Sequence, residues 1–518
     1  MGAARPRARR LAAGLAHPVV ATATLAVAVV GWQVVTAVSG VPTILLPAPT
    51  EVVAALRANR TDIVGHLGYT AYEIGLGWLV GVAAGVGFAG VMAASRRLRL
   101  AIYPLLLSVR IVPLVAIAPL LLVAFGATLQ TRVLMATILT FFPVTVSTLD
   151  GLLSVPSSQL DLLQSVEAST WARIRHVRLP NALPSVFAGV KIATPLAVEG
   201  VLLAEFLAAS RGLGYAVLRA AADLDTALVF ADVSLVVGIG LTLFGLVSGA
   251  ERLLRWSDGA DDASAFGTRT DGVVAPRAER LRAGLVALAL LAGVWLAGTL
   301  TIPNASVFLP APSDVATTLL ASPVLFVTAT GGSLSKLAAG WALGAAVGGG
   351  LGTLIAFVPN SRPVVGPFLV GARVTPTIVA APLLLVWFGI SVSAATVLIA
   401  LATFFPIAVA TASGLATLPE SHRSLLDSVD APRRARLAVR LRYGVPTVLA
   451  GVKLSIVSGL SGVVIAEWFV ANGGLGVLVN QGMRNFQPAL TYAAIACLFA
   501  LGLGLFGSAT LLQRRLDW

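Results

Sequence analysis

Charged residues inside long apolar segments are the features of this sequence with the clearest chemical potential. Arg110 and Arg373 occupy equivalent places in two similar segments, and so do Glu205 and Glu467. Charges in membrane segments are energetically expensive and tend to be functional. The arginines could line a path for an anionic solute, or could snorkel and pair structurally. The glutamates could act at a gate, or could accept hydrogen bonds from the Gly-Leu-Gly turn that follows each.

Sequence signatures of enzyme chemistry are missing. The sequence has no Gly-Lys-Ser/Thr of a P-loop, no Gly-x-Ser-x-Gly and no His-Glu-x-x-His. The single cysteine, Cys497, excludes an internal disulfide and a cysteine-based zinc site, and the four histidines match no ligand spacing. We therefore expect a non-enzymatic protein with no cofactor and no metal of its own.

The composition indicates whether the chain is surrounded by water or by a membrane. Of 518 residues, 57% are hydrophobic and only 11% are charged, against roughly 25% charged in soluble proteins. This excludes an ordinary soluble enzyme or a disordered chain and favours a multi-spanning membrane protein. The net charge of +13 is explained by basic cytoplasmic loops, so we expect no nucleic-acid partner.

The chain contains two direct copies of one unit. Leu-Pro-Ala-Pro at 46–49 recurs at 309–312, Phe-Phe-Pro at 141–143 recurs at 404–406, and Ala-Gly-Val-Lys at 188–191 recurs at 450–453. We expect a first transmembrane domain at 1–256, a polar cytoplasmic linker at 257–280 and a second transmembrane domain at 281–518. The first apolar run should be a retained span, because its counterpart is internal.

Apolar runs predict six spans in each copy and therefore an all-α membrane protein of about twelve spans. Most arginines fall in alternate loops, which predicts that both termini are cytoplasmic. Glycines spaced by four, which recur in the two copies, should let spans pack closely. Thr50 and Ser313 should be N-caps of short external helices. The predicted spans are 18–38, 67–93, 101–124, 131–149, 184–208, 228–250, 281–301, 331–357, 364–388, 392–413, 446–470 and 490–511.

The longest cytoplasmic loop of each copy precedes the fifth span. In copy one, apolar residues recur at helical spacing from Leu162 to Val177, which predicts short amphipathic helices. Pro180 and Pro184 should break them before the span. Such helices could dock in a groove of a partner protein or lie on membrane lipid.

This loop carries a family resemblance. Glu167-Ala168-Ser169, Leu179-Pro180-x-Ala182-Leu183-Pro184 and Gly189-Val190-Lys191 resemble the EAA loop of ABC-importer permeases. More narrowly, Leu-Pro-x-Pro-x-x-Val and Arg-x-x-Pro-x-x-Ala-x-x-Pro-Leu resemble permeases for taurine, alkanesulfonates and nitrate. The resemblance covers nearly the whole chain, because its motifs occur once in each copy.

The resemblance implies two fused type I importer membrane domains in the bacterial inner membrane, which import a small solute, with an anion as one candidate. Two separate ATPase subunits would bind ATP and magnesium, and an external binding protein would deliver the solute. The family's loop glycine is replaced by Arg173 and Arg436. Copy two also has Pro432, and Arg442-Tyr443-Gly444 where copy one has Leu179-Pro180, so the two docking surfaces should differ. The coupling residues implied by position are Glu167, Ala168, Ser169, Trp171 and Arg173 in copy one, and Asp430, Ala431, Arg434 and Arg436 in copy two.

Two other function classes fit the composition. A 6+6 secondary transporter would be driven by an ion gradient without an ATPase, but its longest loop would be central and not repeated in each copy. A non-transporting membrane scaffold is the third class. Whether Glu73 and its oppositely charged counterpart Lys336 pair across the two copies is not decided by the sequence.

Overall fold

The computed structural model describes residues 5–109, 113–155, 174–254, 277–301, 308–358, 361–416 and 420–516, with single residues at 159, 161, 165, 167, 169, 172, 305 and 418. Within these ranges every regular element is a helix, so the predicted all-α membrane fold is confirmed. The predicted linker at 257–280 lies mostly outside the described residues, and only its last four residues are seen, at the start of a helix.

The helices of the two copies follow the same order. Those of copy one are α1 (Arg5–Val38), α2 (Pro49–Ala58), α3 (Arg60–Ala94), α4 (Arg96–Val109), α5 (Ala118–Phe125), α6 (Leu129–Leu153), α7 (Leu179–Ala208), α8 (Leu213–Ala222) and α9 (Thr226–Leu254). Those of copy two are α10 (Arg277–Thr301), α11 (Pro312–Ala321), α12 (Pro323–Phe357), α13 (Ser361–Val374), α14 (Ala380–Phe388), α15 (Val392–Ala416), α16 (Glu420–Ser428), α17 (Arg433–Phe469), α18 (Leu475–Arg484) and α19 (Pro488–Leu516).

Eight of the described helices are long and apolar enough to cross a membrane, namely α3, α6, α7, α9, α12, α15, α17 and α19. A ninth span is possible in copy two if the pair formed by α13 and the segment Thr377–Phe388 is counted, although it is bent by 87°. Pro376, in extended conformation, and a 3₁₀ turn at Thr377–Val379 cause this break. The apolar parts of α1 and α10 are shorter, at Thr22–Val38 and Leu288–Thr301, so the count of twelve stays a prediction.

Glycine rows let three spans approach closely in each copy, as the spacing predicts. A Cβ added to Gly81 of α3 would lie 2.7 Å from the Thr140 Cβ of α6. A Cβ on Gly200 of α7 would lie 3.0 Å from the Ala136 backbone of α6. Helix α6 of copy one therefore packs closely against both α3 and α7, which also contact each other. In copy two α15 packs in the same way against α12 and α17.

The first helix of each copy packs on the other copy. Helix α1 contacts α13, and α10 contacts α4. The indole Nε1 of Trp387 in copy two donates a hydrogen bond to the Leu45 carbonyl of copy one at 2.7 Å. The two halves are therefore interlocked, and a single core of buried side chains extends through both.

The short helices α2 and α11 begin two residues earlier than expected. The N-cap residues are Ala48 and Ala311, so the assignment of Thr50 and Ser313 as N-caps is wrong. Proline opens each helix, and the acid after it caps from within the first turn. The Ala48 backbone N–H donates to Glu51 at 2.8 Å, which satisfies one terminal donor.

Substitution within the glycine rows should destabilise the fold. A Cβ at Gly344 would lie 2.1 Å from the Thr403 Oγ1, so Gly344→Ala should lower stability by about 1–3 kcal/mol through overpacking. Gly350, on the same helix, has open space around it, and Gly350→Ala is the matched control. Thermal unfolding in detergent checks this, and equal midpoints for the two variants would contradict the packing argument.

Candidate coupling turns and buried ion-pair clusters

The helix after each long loop continues into the fifth span without a break. In copy two, α17 runs as one helix of 37 residues from Arg433 to Phe469, with Pro446 inside it. In copy one a π-helical turn at Ile174–Arg178 leads directly into α7, which contains Pro184 and Pro195. The prediction that Pro180 and Pro184 break the helix is wrong. Pro180 occupies the first turn of α7, where no backbone N–H is needed.

In copy two, Arg436 fastens the turn between α16 and α17. Its Nε donates to the Ala431 carbonyl at 2.8 Å, and its Nη1 donates to the Asp427 carboxylate at 2.7 Å. Ala431 is only 8% exposed. By contrast, the Asp430 side chain is fully accessible, and Arg434 is exposed. Of the four coupling residues predicted here, Asp430 and Arg434 are therefore exposed, Ala431 is buried, and Arg436 shapes the turn.

The equivalent turn of copy one is described only in part. Glu167 and Ser169 are exposed, and the Ser169 hydroxyl accepts a hydrogen bond from the Ala172 backbone N–H at 3.2 Å. Glu167 has φ 50° and its counterpart Asp430 has φ 42°, so both turns use a left-handed residue at the same place. The predicted residues Ala168, Trp171 and Arg173 lie outside the described residues.

Glu205 is buried at the far end of α7 and organises the Gly-Leu-Gly turn. It accepts hydrogen bonds from the Thr70 hydroxyl at 2.7 Å and from the Gly214 backbone N–H at 2.6 Å. Thr70 in turn accepts from the Leu213 N–H at 2.8 Å. A Cβ on Gly212, at φ +103°, would lie 2.1 Å from the Glu205 Oε1. Only glycine fits there, because both the backbone angle and the carboxylate exclude a side chain.

Copy two repeats this arrangement around Glu467. The Ser333 hydroxyl donates to Glu467 Oε1 at 2.8 Å, and the Gly476 N–H donates to Oε2 at 2.7 Å. Lys336 donates to the same carboxylate at 2.9 Å and also to the Gly473 carbonyl. The paired glutamates thus bind local turn donors in both copies.

The second charge of each cluster differs between the copies. In copy one, Arg132 of α6 pairs with Glu73 of α3 at 2.6 Å, and both are buried. In copy two, Lys336 replaces Glu73, and Ala395 stands where Arg132 would be. Glu73 and Lys336 therefore pair within their own copies and not with each other. Arg132 and Lys336 are only 6% and 7% exposed, so both are buried cations and not solvent-exposed loop charges.

Arg373 lies where the two copies meet. Its guanidinium stacks at 6.0 Å on Phe244 of copy one and at 5.9 Å on Phe405 of copy two. Such stacking stabilises a cation away from water. Arg110, the predicted partner in the other copy, lies outside the described residues, so only one of the two arginines has a described position at the interface.

The sequence interpretation missed two acids in the spans, Glu199 of α7 and Asp232 of α9. Asp232 is 1% exposed, and neither carboxylate oxygen has a hydrogen-bond partner among the described residues. Glu199 is partly accessible. Their counterparts in copy two are Ser461 and Ala494. A comparison restricted to charges that recur in both copies overlooks them, although each is an unmatched charge in an apolar segment.

Comparisons with known proteins identify the family twice along the chain. The model of the binding-protein-dependent transport system inner membrane component matches residues 81–258 and again residues 348–518. The chain belongs to this family. It is a permease, the membrane subunit of an ABC importer rather than an enzyme, and a multi-pass protein of the inner membrane.

Individual relatives align with about one copy each. A probable ABC transporter permease protein of Haemophilus influenzae is 32% identical over 44% of this chain and 92% of its own length. The riboflavin transport system permease protein of Chloroflexus aurantiacus is 34% identical over 45% of this chain and 88% of its own length. The taurine transport system permease protein of Escherichia coli is 30% identical over 45% and 88%. Permeases of this family work in general with ATPase and solute-binding partners.

The ion pair of copy two should be important for the stability of the permease. Lys336→Met would leave Glu467 as a buried carboxylate without its cation, which should reduce stability by about 3–5 kcal/mol. Adding Glu467→Gln removes the unpaired charge and should recover part of the loss. Thermal unfolding in detergent measures both, with the exposed Arg484→Gln as control. If Lys336→Met alone were as stable as the parent protein, the assignment of this buried ion pair would be contradicted.

Proposed function

We propose that this chain supplies both membrane halves of one importer, powered by two ATPase subunits that dock at the α16–α17 turn and its counterpart before α7. The distribution of arginines favours placing these turns, both termini and the linker in the cytoplasm. A solute-binding protein on the other side would deliver the solute. ATP and magnesium would be bound by the ATPase subunits, so the permease needs no cofactor.

The continuity of α17 is the observation that carries this proposal. A helix rises 1.5 Å per residue, so the 33 residues between Arg434 and Glu467 correspond to about 50 Å. One helix therefore links the docking turn to the buried cluster at the opposite end of the span. A displacement of the turn by a closing ATPase would move the whole fifth span, since no loop intervenes to absorb it.

The docking contact is proposed for the exposed residues of the two turns. Glu167 and Asp430 occupy equivalent left-handed positions and would present carboxylates to the ATPase. Arg434 adds a cation in copy two, whereas Arg436 keeps the turn in shape through Asp427 and Ala431. Pro432 is the N-cap residue of α17 in copy two, and the equivalent position in copy one is Ser169. These differences favour unequal coupling, or two different ATPase subunits.

The solute path is proposed to lie between the copies, where Arg373 is held between Phe244 and Phe405. A cation at this place would attract an anionic group of the solute. The glutamates Glu205 and Glu467 are proposed to act indirectly, because their carboxylates are engaged by the turns before α8 and α18. They would hold these short helices in register with α7 and α17 as the spans move.

Cross-linking tests the docking assignment. In a Cys497→Ala background, Glu167→Cys and Asp430→Cys should each form a cross-link with an ATPase subunit, because both positions are exposed at the proposed docking turns. Asn485→Cys, on an exposed loop at the opposite end of the fold, is the control and should capture none. Capture is read on denaturing gels of membranes that contain the whole transporter. Absence of capture at both turns would reject the assignment.

The energy source is tested separately by uptake. Membrane vesicles with the permease, its ATPase subunits and its binding protein should accumulate solute when ATP is inside with the ATPases, and should lose this accumulation when the ATPases are omitted. Collapsing the ion gradients with ionophores should have little effect. Uptake that needs an ion gradient but no ATPase would support a secondary transporter instead.

The Arg436 contacts give a more specific test of coupling. Arg436→Ala removes both the hydrogen bond to the Ala431 carbonyl and the ion pair with Asp427. Because this pair is partly exposed, its removal should lower stability by at most about 1 kcal/mol. Transport should nevertheless fall several-fold relative to ATP hydrolysis, and the ratio of solute imported to ATP hydrolysed measures this. An unchanged ratio would show that the shape of the turn does not matter for coupling.

A further inference from the structure

Glu199 is an acid in the fifth span of copy one whose role is not explained by the contacts that hold the fold together. It has no hydrogen bond and no ion pair among the described residues, yet its side chain is not fully buried. A carboxylate in a membrane span that lacks a protein partner is energetically costly.

The surroundings of α7 show which side Glu199 can face. Helix α7 packs against α6 through Gly189 and Gly200, and it also contacts α3 and α9. It is the most enclosed of the candidate spans, with 56% of its apolar window buried. It also contacts the 3₁₀ turn Thr377–Val379 of copy two. Glu199 is therefore a partly accessible acid on an enclosed helix that borders the broken span of copy two.

Helical geometry turns Glu199 toward the other copy. Phe206 lies seven residues further along α7 and therefore on the same face. The Phe206 ring contacts the Phe469 ring of copy two edge-to-face, with the centroids 5.6 Å apart. The face that carries Glu199 thus also carries the Phe206 contact with copy two, near the ends of the two fifth spans.

Glu199 also neighbours the junction beside Arg373. A Cβ added to Gly240 of α9 would lie 2.7 Å from Val374 Cγ1 and 3.9 Å from Val198 Cγ2. Val374 follows Arg373 in the chain, and Val198 precedes Glu199. The two charges therefore flank one meeting point of α7, α9 and the broken span of copy two, and they carry opposite signs.

We propose that Glu199 lines the solute path beside Arg373 and recognises a positively charged or N–H-bearing group of the solute. The inference rests on the proposed path between the copies. It narrows the solute class from a simple anion to a molecule with both kinds of group, such as a zwitterion or a heterocycle with N–H donors. Because the counterpart is Ser461, only the copy-one side of the path carries this acid, and the solute would be held in one orientation.

Charged thiol reagents test the proposal without knowledge of the solute. In the whole transporter with Cys497→Ala, Ser461→Cys provides a thiol at the position equivalent to Glu199. A cationic and an anionic methanethiosulfonate of similar size should both react with it. The ratio of the cationic to the anionic rate should fall by about threefold or more when Glu199→Gln removes the local negative charge.

Asp232→Asn is the matched control. It also removes an acid from a span of copy one, but Asp232 is buried and its oxygens are not accessible, so the ratio at Ser461→Cys should not change. A fall in the ratio of the same size with Asp232→Asn, or no fall with Glu199→Gln, would overturn the proposal. Failure of Glu199→Cys to react with either reagent, in both the nucleotide-free and the ATP-bound transporter, would overturn it as well.

These outcomes are separate from those that test the proposed function. The thiol reactions report on the path whether or not solute moves. Loss of ATP-driven uptake with an intact charge preference would count against the proposed energy source alone. Normal ATP-driven uptake with no effect of Glu199→Gln on the reagent ratio would count against Glu199 alone.

Discussion

The close approach of three helices through glycine is the constraint on which the rest of this permease depends. Because Gly81 and Gly200 leave no side chain between α6 and its two neighbours, groups on α3 can reach groups on α6 and α7. The Glu73–Arg132 ion pair joins α3 to α6, and the Thr70–Glu205 hydrogen bond joins α3 to α7. With ordinary side chains at the glycines the spans would lie further apart, and these short polar contacts could not form.

The same close packing bears on how the uninterrupted fifth span could transmit motion. A long helix transmits motion only if its neighbours move with it or allow it to slide. A helix surface of glycines allows either, because no side chains project from it. The buried carboxylate at the end of α7 or α17 then fastens the span to the short helix that follows it. If the ATPase subunits dock as proposed, movement of each turn would be transmitted to the opposite end of the span through one helix and one carboxylate.

Much of this arrangement could be predicted from the sequence, and the failures have identifiable physical causes. The repeat, the helical fold and the glycine contacts follow from residue types and spacing. The breaks at Pro180 and Pro184 do not form, because a proline is tolerated in the first turn and within membrane helices whose neighbours compensate. The buried position of Arg132 depends on the tertiary pairing with Glu73, about which the local sequence says nothing. Glu199 was overlooked since it has no charged counterpart.

Fusion of two copies in one chain explains why such unmatched residues can persist. When identical subunits form a symmetric dimer, every substitution appears twice, so an acid near the axis would face its own duplicate and be repelled. In a fused pair each half can change alone. Copy one has a second acid, Glu73, with Arg132 as its partner, whereas copy two uses Lys336 against a single glutamate. The same freedom permits Glu199 in copy one where copy two has Ser461, so that the two halves differ in charge at equivalent positions.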